Sequence, residues 1–167
     1  MSAFYRELRA HFPGAAFVMV IRDPRDNIRS ILNRLKIPGD LQDLGPEHRG
    51  EITRAWELIV DGRWLGLRGD NYIEMLAERW NYITDSYLEN EDDIRLVKYE
   101  DFVARPSDIL KTVGVKYDLD WEDKLLQTIT GNIDNRNFKW QENMPDEDKN
   151  RLNFLLGDFL MQLGYEV

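Results

Sequence analysis

The run Ala15-Ala16-Phe17-Val18-Met19-Val20-Ile21 is apolar throughout and stops at Arg22-Asp23-Pro24. It is too short for a helix of its own, it is rich in β-branched residues, and Gly14 and Pro24 bound it. Such a run predicts a strand buried on both faces. A strand of that kind belongs to a parallel sheet covered by helices, which sets the class as α/β. A helix is predicted to follow at once. Asp23 is a good N-cap, Pro24 suits the first helical position, and Asp26 puts a carboxylate in the first turn. Arg22 then stands at the carboxyl end of the strand, where open α/β sheets bind ligands. Ser30 lies eight positions later, about two turns up the helix. A guanidinium fork and a hydroxyl turned toward each other make a cradle for a phosphate. That phosphate would lie beside the helix, because Asp23 occupies N–H groups at its tip. The plainer alternative is a well-capped helix start in which Arg22 pairs with Asp23 or Asp26.

The remaining pattern is mostly helical. A short helix is predicted over 2–11, with His11 near its end. The helix after Asp23 carries Ile28, Ile31, Leu32 and Leu35 at core spacing. Pro38-Gly39 ends it, and a loop holding His48 follows. Residues 51–60 read as helix. The glycine-rich stretch 61–70 has no phosphate-binding spacing and follows no strand. It reads as a turn, with Trp64 plugged into the core and Arg68 beyond it. Over 71–90, Tyr72, Leu76, Trp80, Ile83 and Tyr87 form an apolar stripe of core type. Residues 94–99 are the second strand. Strand-then-helix order on both occasions predicts parallel pairing. Pro106 opens a helix that Gly114 is expected to stop. A short helix is predicted over 121–130, then a polar loop over 131–143 with Arg136, Lys139 and Trp140. The final helix opens at Pro145, carries Leu152, Leu155, Leu156, Phe159, Leu160 and Leu163, and closes at Gly164.

Composition excludes some chemistry. The chain of 167 residues has no cysteine, so it has no disulfide, zinc-thiolate site or thiol nucleophile. That fits a reducing compartment, and a cytoplasmic location is expected. No apolar stretch has the length of a membrane span, and no signal-peptide pattern is present, so no membrane partner is expected. A net charge of −9 argues against nucleic-acid binding, leaving an anionic ligand to a local basic site.

The segment Val20-Ile21-Arg22-Asp23-Pro24-Arg25-Asp26, with Ser30 following, resembles the 3′-phosphate-binding motif of sulfotransferases that use 3′-phosphoadenosine 5′-phosphosulfate (PAPS). The resemblance implies that Arg22 and Ser30 hold the 3′-phosphate of PAPS, or of the PAP left after transfer. Val97-Lys98-Tyr99-Glu100-Asp101-Phe102, with Pro106 and Leu110 beyond it, resembles the same family's Tyr-Glu-Asp segment. There the Tyr lies near the adenine, which implies that role for Tyr99; the other reading is a Tyr packed under the next helix with its hydroxyl on a partner. The loop with Arg136 and Lys139 stands where the family supplies basic residues to the same phosphate, or it is a solvated basic loop anchored by Trp140. Leu163-Gly164-Tyr165 is similar to the end of bacterial members.

The resemblance thus implies one sulfotransferase-like domain over 1–167, with a P-loop NTPase-like fold and no metal. No Gly-x-x-x-x-Gly-Lys-[Ser/Thr] and no Lys-Ser-Gly-Thr-Thr-like run occurs in the chain. The expectation is therefore an N-terminally truncated, helix-rich member that keeps the 3′ half of the nucleotide site. Its catalytic base is unidentified. If complete, such a protein would transfer a sulfuryl group to an unknown acceptor hydroxyl or amine. The alternative is a non-catalytic nucleotide- or anion-binding module, or a homo-oligomeric interaction module. A sheet lacking its first strand has an open edge, so a homodimer that covers it, or a rearranged N-terminal helix that caps it, is expected.

Overall fold

Two short parallel strands lie among helices in the computed structural model, which describes residues 4–45, 52–130, 133–134 and 137–167. The described residues fall in two compact units, one within Met1–Arg22 and Ser86–Asn137, the other within Asp23–Asp85 and Phe138–Val167.

The first unit holds the sheet. It runs from α1 (Tyr5–His11) to β1 (Phe17–Ile21), and resumes with β2 (Ile94–Lys98), α5 (Tyr99–Ala104), α6 (Pro106–Tyr117) and α7 (Asp123–Thr130). β1 and β2 pair in parallel, as strand-helix order predicts, with Phe17 opposite Ile94 and Ile21 opposite Lys98. The Tyr117 hydroxyl fastens the start of the pair: it donates to the Phe17 carbonyl and accepts from the Arg95 N–H at 3.2 Å. Tyr5 packs edge-on against Phe17, 5.1 Å between ring centroids, and donates its hydroxyl to Asp93 at 3.0 Å.

The expectation of a strand buried on both faces is corrected here. β1 alternates, with Ile21 buried while Val18 and Val20 are 41% and 61% exposed. The physical reason is the pleat: positions 18 and 20 share one face of the two-stranded sheet, which the described residues leave largely uncovered, while Ile21 lies on the other face. A second correction concerns Gly114, which lies inside α6 and does not end it. A Cβ there would come within 2.6 Å of the Trp121 ring and 2.7 Å of the Leu119 carbonyl. Glycine is needed at this position for close packing, not for a cap. The helix ends four residues later at Asp118, in the left-handed conformation.

The second unit is helical. It contains α2 (Pro24–Leu35), α3 (Arg54–Val60), a 3-10 turn (Gly62–Leu65), α4 (Tyr72–Leu88) as far as Asp85, α8 (Lys139–Asn143) and α9 (Asp146–Gln162). The core stripes read from sequence bury: Tyr72, Leu76 and Trp80 on α4, Ile28 and Leu32 on α2, and Leu152, Leu156 and Leu160 on α9. Trp80 meets Phe159 edge-on, with centroids 6.5 Å apart. The Asn81 amide donates to the Leu155 carbonyl at 3.1 Å.

Candidate functional site

Parallel register determines what stands at the strand ends. Ile21 pairs with Lys98, so the next residues, Arg22 and Tyr99, leave the ladder side by side. The Arg22 guanidinium lies over the Tyr99 ring, 5.0 Å from its centroid. Both side chains are partly exposed. Tyr99 also opens α5 directly after the strand. Among the described residues its hydroxyl makes no hydrogen bond, unlike a tyrosine packed under a helix with its OH on a partner. A cation held against an aromatic face at the carboxyl ends of parallel strands offers two complementary contacts. The guanidinium takes an anion, and the ring edge and second face take a planar base.

Ser30 and Lys139 belong to the second unit. Ser30 is exposed on α2, one turn after Asp26 on the same side. Asp26 is itself wholly buried. Its carboxylate accepts the Phe138 N–H at 2.6 Å and the Trp140 N–H at 3.1 Å, and pairs with Arg29 at 3.3 Å. These bonds fasten the segment around Lys139 to the first turn of α2. Phe138 sits there at φ 64°, a left-handed conformation that costs a bulky residue on the order of 1–3 kcal/mol. The two bonds to Asp26 offset that cost and fix where Lys139 enters α8, with its side chain exposed. Part of the predicted polar loop is therefore the short helix α8. Arg136, the other basic candidate in that segment, lies outside the described residues, as does His48.

The sequence reading missed the most elaborate cluster. Asp23 caps α2 as expected, accepting the Arg25 N–H at 2.9 Å. It also takes the Arg25 side chain in a two-pronged pair, Nε to Oδ1 at 3.0 Å and Nη2 to Oδ2 at 2.8 Å. Arg25 further donates to Asn153 Oδ1 at 3.0 Å and to the Glu166 carbonyl at 2.7 Å. Its guanidinium stacks on Trp140, 3.9 Å from the ring centroid. Arg25 is 2% exposed and Asp23 4%. One signal was available: Arg25, Ile28 and Leu32 recur at three and four residues, so Arg25 lies on the inward stripe of α2.

Trp64 is not a core plug. It is 44% exposed, and its indole N–H donates to the Leu58 carbonyl at 2.8 Å. Arg68 lines a cavity of about 420 Å³ with Arg63, Gly66, Gly69 and Met75. His11 donates its Nδ1–H to the Glu7 carbonyl, 2.8 Å away at the end of α1. Among the described residues, no group of three or more His, Cys, Asp or Glu side chains is arranged to hold a metal ion. No described helix is long and apolar enough to cross a membrane.

No protein-family model, no curated protein and no solved structure matches this chain.

Proposed function

We propose that this chain binds a 3′-phosphorylated adenine nucleotide, as PAPS-dependent sulfotransferases do, at the ends of its parallel strands. The observation that carries the reading is the Arg22 guanidinium 5.0 Å from the Tyr99 ring centroid, on adjacent strand ends whose residues were singled out by the family resemblance. A 3′-phosphate and its adenine are joined through one ribose. A cation lying over one face of an aromatic ring leaves the ring's edge and other face for the base, so one nucleotide could meet both groups. Arg22 would hold the phosphate and Tyr99 would flank the base. The resemblance adds Ser30, Arg136 and Lys139 as further phosphate contacts; these rest on the sequence likeness. It also supplies the wider reading, a P-loop NTPase-like sulfotransferase fold that transfers sulfuryl to a hydroxyl or amine.

Calorimetric titration with PAP tests the proposal. Saturable binding is expected, weaker for 5′-AMP, which lacks the 3′-phosphate. A charged hydrogen bond contributes about 1.5–3 kcal/mol, so Arg22→Ala should weaken PAP by roughly tenfold or more. Tyr99→Ala should weaken both nucleotides alike, since a stacked base contributes about 1–3 kcal/mol whatever phosphate it carries. Absence of a binding heat with PAP at millimolar concentration overturns the reading.

A further inference from the structure

The outward face of α9 does not look like a helix surface meant for water. Leu152, Leu156 and Leu160 are fully buried on its inner side. On the opposite side, two turns apart, Phe154 is 79% exposed and Met161 is 63% exposed. Gly157 lies between them, in mid-helix, and a Cβ there would meet nothing within 4 Å. Nothing in its own fold requires glycine at 157, yet glycine costs a helix interior about 0.5–1 kcal/mol relative to alanine. What it provides is a bare stretch of backbone that another chain can approach closely.

We propose that this face is the interface of a two-fold homodimer, α9 packing antiparallel on α9 of a second copy. Charge order argues for a second copy over an unrelated partner. A two-fold interface must present opposite charges at matched distances about its own centre. Arg151 and Asp158 stand on the same side of the outward face, just before and after the midpoint of Phe154 and Leu155. Antiparallel pairing about that midpoint sets Arg151 of each copy against Asp158 of the other, twice. Glu74 holds Arg151 in place at 2.7 Å. Asp158 has no ion pair among the described residues. The same symmetry sets position 161 opposite position 148. A cavity of about 810 Å³ opens there, its lining mostly polar, with Asp40, Glu147 and Asp148 beside Ile73, Pro145 and Phe154. Met161 of the second copy would lie at its mouth, where Phe154 and Pro145 give it apolar contact. α9 has 17 residues and is about 25 Å long. One such helix pair gives an interface at the small end of specific contacts, so a dissociation constant near micromolar is expected.

Sedimentation of the full chain between about 1 and about 200 µM tests this. Concentration-dependent dimerisation is expected. Asp158→Arg alters only an exposed position, leaves the buried leucines in place, and sets like charges together, so it should weaken the dimer roughly tenfold or more. The chain has no cysteine, so Phe154→Cys places a unique thiol at the centre of symmetry. It should oxidise to a disulfide-linked dimer, while Val115→Cys, an exposed position on α6, should not. A wild type that stays monomeric throughout overturns the proposal. So does a dimer that Asp158→Arg leaves unchanged, which would place the contact elsewhere, for instance at Val18 and Val20.

Discussion

Arg25 makes four side-chain hydrogen bonds, to Asp23, Asn153 and the Glu166 carbonyl, and stacks on Trp140 besides. Its neighbour Arg22 is partly exposed at a strand end. Three residues apart in one motif, the two arginines have opposite duties. The strand runs out at Ile21, so Arg22 meets the strand-end surface. The helix starts at Pro24, so Arg25 turns inward with Ile28. Removing one member of a buried, hydrogen-bonded ion pair strands the other, at a cost of about 3–5 kcal/mol. Arg25→Ala is therefore expected to consume much of a total stability that is about 5–15 kcal/mol for a domain. Denaturant unfolding checks it, with Arg22→Ala as the comparison. If both changes cost the same small amount, the distinction drawn between them is wrong.

At the scale of elements, hydrophobic periodicity carried the reading well where helices were long. α4 and α9 lie where their stripes put them, and the β1–β2 pairing follows from strand-helix order. The capped start of α2 was also legible, because Asp23, Pro24 and Asp26 act on their own helix. What escaped is what depends on distant chain. Gly114 looks like a helix stop only while Trp121 is out of view. Val18 and Val20 look buried only if a layer of helices is assumed over their face of the sheet. Arg25 escaped notice because its partners Asn153 and Glu166 are 128 and 141 residues away. In the candidate site, Tyr99 could be placed beside Arg22 only through the register. Gly114→Ala tests the packing reading. At a position inside a helix, alanine by itself would gain about 0.8–1.0 kcal/mol over glycine. The Cβ would instead meet the Leu119 carbonyl at 2.7 Å, a backbone atom that cannot swing aside, and overpacking of this kind costs about 1–3 kcal/mol. A net loss of stability is expected in thermal or denaturant unfolding.

At the scale of the whole molecule, the net charge of −9 sets how the fold responds to acid, and two carboxyls around the cavity beside α9 respond in opposite senses. Burial, with Glu147 and Asp40 nearby, pushes the Asp148 carboxyl above its ordinary value. The folded state then holds that proton more tightly than the unfolded one, so this group's unfavourable contribution is relieved as pH falls. Glu74 is held below the usual range by the Asp70 N–H and by Arg151, against the effect of burial. Its contribution is present above the unfolded value and is lost as pH falls through the folded one. Falling pH should thus bring a gain from Asp148 and a loss from Glu74. Denaturation midpoints measured against pH, at one protein concentration, check this. Asp148→Asn should abolish the gain and leave the loss, and Glu74→Gln should do the reverse.

The Asp26 carboxylate holds backbone N–H groups that lie 112 and 114 residues further along the chain. During synthesis, α2 leaves the ribosome long before Phe138 and Trp140 exist. Until they arrive, Asp26 and Arg25 keep their hydration and cannot be enclosed. The second unit therefore closes after translation of its last segment, and a nascent chain stalled short of residue 138 should be cut by protease within α2 while the finished protein resists.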